Sequence, residues 1–147
     1  MKLIIAGSRG YKGGVQGVRW AVYASGWRWR ITEVIEGEAR GADAAGRLWA
    51  EEEGLPVTPM PAPWNDVFGK PKHEIGNSNG RPYWKPAGHH RNRQMSERAD
   101  AAVILWDGKS PGTESMIQIM KDINKPVFVW MYLCGYGYYE PTGAKKR

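Results

Sequence analysis

The sequence predicts a doubly wound α/β domain, a parallel sheet of about five strands with helices on both faces. Two observations carry that expectation. Five short apolar runs punctuate the 147-residue chain, and those at Leu3-Ile4-Ile5, Ala102-Val103-Ile104-Leu105 and Val127-Phe128-Val129-Trp130 are near-continuous rather than alternating. Strands read that way when helices cover both faces of a parallel sheet. Helical patterns separate the runs, so strand and helix alternate along the chain, with an insert before the fourth strand. Right-handed crossovers then give the sheet order 3-2-1-4-5.

The elements follow in order. The first strand, Lys2–Ala6, leads through a short loop into a helix over Gly14–Ser25 that places Val15, Val18 and Val22 on one side. The second, Thr32–Glu36, leads into a helix over Ala42–Glu53. There Ala45, Leu48 and Trp49 are expected inward, Glu51-Glu52-Glu53 face solvent, and Gly54 ends the helix. After the third strand, Leu55–Met60, comes Pro61–Pro86, rich in Pro, Gly and Asn and carrying Trp64, Phe68, Tyr83 and Trp84. It is too long for an ordinary connection and reads as a functional flap or an interface loop. A polar helix over Gly88–Ala99 precedes the fourth strand, Ala101–Trp106. The last helix, Thr113–Ile123, is expected to bury Met116, Ile117, Met120 and Ile123 before the fifth strand, Pro126–Met131. The domain is therefore drawn as residues 1–131 with an insert at 70–86. Residues 132–147 form a C-terminal extension, aromatic at Tyr132, Tyr136, Tyr138 and Tyr139 and basic at Lys145-Lys146-Arg147, read as a packing or dimer-contact segment.

Composition narrows the class. The lone Cys134 has no partner within the chain, and no CxxC pair is present. No apolar run approaches the roughly 18–20 residues of a membrane span, and the N-terminus lacks a signal-peptide pattern. A cytoplasmic setting is expected, with secreted, membrane-spanning and disulfide-scaffold classes disfavoured. The net charge is +6, and residues 54–98 carry seven basic side chains against three acidic ones. That local excess suits a phosphate-bearing ligand or nucleic acid.

In doubly wound sheets, ligands bind beyond the carboxyl ends of the strands, where the winding direction switches. Three loops of small and polar residues are expected there. The first is Gly7-Ser8-Arg9-Gly10, whose glycines let backbone N–H groups approach an anion and whose Arg9 can grip a phosphate. The second runs from Glu36 and Gly37 through Glu38, Ala39, Arg40 and Gly41 to Asp43. The third follows Trp106 as Asp107-Gly108-Lys109-Ser110-Pro111-Gly112-Thr113-Glu114, where Ser110, Gly112 and Thr113 open a helix as a phosphate cradle would. Together they predict a nucleotide-sized anion site. Neither GxxxxGK[ST] nor GxGxxG occurs, which disfavours ATP hydrolysis and ordinary dinucleotide binding. His89 and His90 point about 100° apart on a helix, so no metal site and no cofactor are expected. Arg91 and Asn92, in the first turn of that helix, are the better candidates for ligand contact.

The set Gly7-Ser8-Arg9-Gly10, Glu36–Asp43, Ala87–Met95 and Trp106–Thr113 resembles the YspA/YpsA-related branch of the SLOG superfamily, Rossmann-like proteins that include the cytokinin-activating LOG phosphoribohydrolases. The resemblance covers roughly residues 1–131 without the insert. It implies a nucleotide or nucleotide-derived ligand of ADP-ribose or cyclic-nucleotide type, bound by a sensor or sequestering protein, as in phage counter-defence. A homo-oligomer is expected, with the C-terminal extension or the insert as its contact. Set against the LOG pattern, Arg91 matches the catalytic Arg, Asn92 replaces the Lys, and Met116 stands where the essential Glu belongs. Such a hydrolase would need Glu36, Asp43 or Glu114 as a substitute, with Arg91, Glu36 and Glu114 the catalytic candidates. Binding is therefore preferred over N-glycosidic hydrolysis, with single-stranded nucleic acid as a further alternative. Trp64, Tyr83, Trp84 and Lys85 are expected to form a basic, aromatic flap over the pocket.

Overall fold

The computed structural model describes residues 1–141; the basic end, Lys145-Lys146-Arg147, lies outside them. Its strands are β1 (Lys2–Gly7), β2 (Glu33–Glu36), β3 (Val57–Pro59), β4 (Ile75–Ser78), β5 (Arg81–Trp84), β6 (Ala101–Trp106), β7 (Val127–Met131) and β8 (Tyr136–Tyr139). Its α-helices are α1 (Gly14–Ser25), α2 (Ala42–Glu52), α3 (Ala87–Arg98) and α4 (Pro111–Asp122). The main sheet runs β3-β2-β1-β6-β7-β8, parallel except for β8 against β7. The expected order is present within it, and the sheet has six strands rather than five because Tyr136–Tyr139 turns back onto β7. The boundary drawn after Met131 thus cuts through the sheet.

The continuous apolar runs are explained by two cores. Along β1, Leu3 and Ile5 pack into the layer of α1 and α2 with Val18, Val22 and Trp49, while Ile4 and Ala6 pack opposite with Met95, Met116 and Met120. Both faces need apolar side chains, so alternation disappears. Two expected core residues are not buried. Leu48 is 53% exposed, because the sheet-facing stripe of α2 is Ala42, Ala45, Gly46, Trp49 and Ala50 and Leu48 stands on the opposite side. Ile123, at the C-cap of α4, is 38% exposed because the helix has ended and its last turn no longer faces β7.

The insert is ordered by its own contacts. β4 and β5 form an antiparallel hairpin closed by Asn79 and Gly80, both at positive φ (53° and 81°), as a two-residue turn of this handedness requires. Trp84 anchors it. Its backbone N–H donates to the Trp64 carbonyl, its indole N–H donates to Glu74 Oε1 at 3.0 Å, and Lys70 Nζ sits 4.6 Å over its ring.

Candidate functional site

The winding direction switches between β1 and β6, and their carboxyl ends open a cleft. Gly7 permits the approach of the two strands: a Cβ there would lie 2.0 Å from the Leu105 carbonyl oxygen and 2.9 Å from Ala42 Cβ. The loops after β1 and β6 are then tied together by side chains. Ser8 Oγ accepts the Asp107 N–H at 3.0 Å and lies 3.2 Å from the Ser110 hydroxyl. The Asp107 carboxylate accepts the N–H groups of Lys109 and Ser110 and the Ser110 hydroxyl, which pulls its pKa down to about 2. The Trp106 indole donates to the Ser110 carbonyl at 3.2 Å. Ser8, Trp106, Asp107 and the Gly108 turn therefore shape the loop and do not line the cleft.

That shaping leaves the N-terminus of α4 open. Ser110 makes no side-chain cap, and Pro111 has no N–H to cap, so the first-turn N–H groups of Gly112 and Thr113 remain for a ligand. Ser110, Gly112 and Thr113 line a lobe of about 610 Å³, together with Gly7, Arg9, Asn92 and Met116. Asn92 is oriented by its amide, which donates to the Gly112 carbonyl at 3.2 Å.

The loop after β2 behaves differently from an N–H cradle. Its N–H groups are already taken: Gly37 and Ala39 donate to Asp43 Oδ2 at 3.0 and 3.4 Å, and Glu38 donates to Glu36 Oε1 at 2.7 Å. Glu38 adopts φ 59° to do so, a conformation a non-glycine side chain holds only where its surroundings enforce it. Glu36 is completely buried, is approached by Arg47 at 3.3 Å, and is raised in pKa by that burial. Arg91, 8% exposed, donates to the Gly37 carbonyl and to Asn92 Oδ1, and burial holds its pKa down while Asp43 opposes the shift. Gly37 is what lets these groups meet, since a Cβ there would lie 2.3 Å from Arg91 Nη1.

A second lobe of about 310 Å³ adjoins the first and shares Arg9, Ala39, Trp64 and Arg91 with it; Gly37, Glu38, Arg40, Pro61 and Ala62 complete its wall. The flap divides between the two roles. Trp64, with the Arg9 guanidinium 5.9 Å from its ring, and Lys85 face the cleft, whereas Tyr83 packs edge-on to Trp64 and Trp84 packs against His90 at a tilt of 60°. Of the expected site residues, Glu36, Gly41 and Glu114 also stay off the cleft wall. Glu114 is exposed beyond the rim, so among the carboxylate candidates Asp43 reaches the cleft. Sequence reasoning did not single out Met95, Pro61 or Ala62 as lining, nor His89, which lines the cleft from α3 with its Nδ1 3.1 Å from Ser115 Oγ. The position of His89 one turn above Asn92 was the only available signal.

Burial raises the Asp43 pKa from 3.8 to about 6, against the lowering effect of Arg91. Between about pH 4 and 6 the folded chain therefore binds more protons at this site than the unfolded chain, and stability falls as pH rises through that window. Asp43→Asn, which cannot ionise, is expected to gain about 2–3 kcal/mol relative to the parent chain between pH 4 and pH 7.5. Urea denaturation of both proteins across that range checks it; a constant difference would contradict the assignment.

No family model matches the chain, and no curated protein matches it. Among solved structures, the X-ray structure of DNA processing protein A (DprA) from Streptococcus pneumoniae matches with a TM-score of 0.63 and 21% identity over 87% of this chain. The chain spans about half of that structure's length, 49%. The likeness establishes the Rossmann-like α/β fold.

Proposed function

We propose that the chain binds a phosphate-bearing, nucleotide-derived small molecule in the cleft, as a sensor or sequestering protein of the SLOG type. The observation that supports this most is the composition of one lobe, where an uncapped helix N-terminus and the guanidiniums of Arg9 and Arg91 line the same space. Helix N–H groups and bidentate guanidiniums both match a phosphate in charge and geometry. Trp64 offers a planar ring at the waist between the lobes, and Lys85 adds charge at the rim. Met116, which lines the lobe at the position where a LOG-type hydrolase would carry its Glu, favours binding over hydrolysis. No described helix is long and apolar enough to cross a membrane, and a cytoplasmic homo-oligomer of the YspA/YpsA branch, acting on ADP-ribose-type signals, belongs to the same reading.

Thermal-shift titration with nucleotides, ADP-ribose and its cyclic isomers tests it. A ligand at 1,000 times its Kd stabilises by about 4 kcal/mol. Arg9→Ala, which removes an exposed cation from both lobes, is expected to weaken binding by about 10- to 100-fold while leaving the unliganded melting point nearly unchanged. No stabilisation by any of these compounds would overturn the reading. The basic stretch and the fold likeness to a DNA processing protein favour single-stranded nucleic acid as the second reading. That reading predicts affinity falling steeply with salt.

A further inference from the structure

Among the described residues, one carboxylate lines the larger lobe, and it is half used. Asp43, in the first turn of α2, is 4% exposed and lines the larger lobe. Its Oδ2 accepts two backbone N–H groups, from Gly37 and Ala39, whereas Oδ1 makes no hydrogen bond among the described residues. The nearby guanidinium does not bond it among the described residues: Arg91 donates from Nη1 to the Gly37 carbonyl and from Nε to Asn92. An ionised carboxylate is an acceptor only, so a ligand group that meets Oδ1 must donate. A phosphate cannot. It fits instead at Gly112 and Thr113, elsewhere in the same lobe.

In doubly wound sheets, a carboxylate at the end of the second strand commonly holds a ribose hydroxyl. Here that residue is Glu36, and it is out of reach: it is fully buried, with one oxygen on the Glu38 N–H and the other beside Arg47. Asp43 is the acid left facing the lobe. A sugar hydroxyl, a few bonds from a nucleotide's phosphate, fits an acceptor in the same lobe as a phosphate site better than a base amine does.

We propose, resting on the nucleotide reading above, that Asp43 is the specificity-determining residue for a ribosyl group: its free oxygen accepts a sugar hydroxyl of a ligand whose phosphate lies at the α4 N-terminus. The cleft then takes ribonucleotide-derived ligands and discriminates against those lacking that hydroxyl. A site built to bond a hydroxyl strongly rejects the analogue without it, because the buried acceptor is left unpaired.

The test is calorimetric titration of the purified protein with ADP, UDP and their 2′-deoxy and 3′-deoxy counterparts. The parent chain is expected to bind the ribonucleotide about 10- to 100-fold more tightly than at least one deoxy form. Asp43→Asn keeps an oxygen for the Gly37 and Ala39 N–H groups and replaces the free acceptor by an NH₂. It is expected to reduce the discrimination, because the neutral NH₂ can only donate to the hydroxyl oxygen, a weaker bond than the one the carboxylate accepts. Equal affinity for all forms in the parent chain would overturn this proposal and leave the phosphate site standing. Discrimination unchanged in Asp43→Asn would overturn the role of Asp43. Binding of none of the nucleotides would overturn the reading on which the proposal rests. Equal affinities in the parent chain overturn the proposal even where the variant does not fold, and Asp43→Ser then serves as the second variant for the role of Asp43.

Discussion

Arg91→Ala is expected to cost about 3–5 kcal/mol of folding stability at pH 8 and distinctly less at pH 5. Removing one member of a buried charge pair leaves the other uncompensated, and that penalty is what sets the size of the loss. Arg91 is surrounded by acids that the fold has withdrawn from water: Asp43 at 4% exposure and Glu36 fully buried, both raised in pKa by burial. With the guanidinium gone, the Asp43 pKa rises further above about 6. At pH 5 the acid is then neutral and tolerates its burial; at pH 8 it must either stay charged without a counter-ion or bind a proton against the pH. The same logic predicts coupling. In an Asp43→Asn background, Arg91→Ala should cost markedly less at pH 8, since the effects of neighbouring buried charges do not add independently. Denaturant unfolding of the four proteins at both pH values measures it. A loss that is independent of pH and of residue 43 would show that Arg91 acts through packing alone.

The second large effect concerns Gly7. Gly7→Ala is expected to destabilise the fold by about 3 kcal/mol or more, because the new Cβ would press on the Leu105 carbonyl of β6 and on Ala42 at the start of α2, neither of which is a movable side-chain end. The same carbonyl accepts the Ser8 N–H at 2.9 Å, so the displacement would also loosen the Ser8–Asp107–Ser110 tie that leaves α4 uncapped. Gly10→Ala, three residues on, meets nothing within 4 Å and is expected to change stability by no more than about 0.5 kcal/mol. Equal melting points for the two variants would contradict the close-approach argument.

Much of the fold was legible because it depends on local pattern. Apolar runs at Leu3–Ile5 and Ala102–Leu105 are continuous because each feeds two cores, and helix starts and stops at Gly14, Ala42 and Gly54 follow backbone chemistry. Leu48 was misread because a helix covering a sheet can be built from small residues, Ala42, Ala45 and Gly46, leaving the larger side chain outside. The β4–β5 hairpin carried a local signal, Asn79-Gly80, but sits in a segment whose Pro and Gly content reads as irregular. β8 lacks any such signal; Tyr136–Tyr139 becomes a strand because β7 offers an edge and the Tyr139 hydroxyl reaches the Ser25 carbonyl.

For the site, the three loops were legible as glycine and hydroxyl clusters at strand ends. Their division of labour was not. Whether a loop N–H faces a ligand or a carboxylate depends on partners distant in sequence, as with Asp43 under Gly37 and Ala39, or Ser8 under Asp107. Residue type alone also made Glu36, Glu114 and Asp43 equivalent acids. Burial separates them: Glu36 is sealed beneath its loop, Glu114 stands in solvent, and Asp43 alone of the three reaches the cleft.

The central claim, that this cleft holds a small phosphate-bearing ligand, is tested most directly by titrating the purified chain with ADP-ribose and with a single-stranded deoxythymidine oligonucleotide at 50 and 200 mM salt. The expected result is 1:1 binding of the small molecule that weakens no more than about tenfold over that range and is largely lost in Arg9→Ala, with oligonucleotide binding weaker. Absence of small-molecule binding, together with oligonucleotide affinity that falls by about 10³-fold or more between the two salt concentrations, would contradict it.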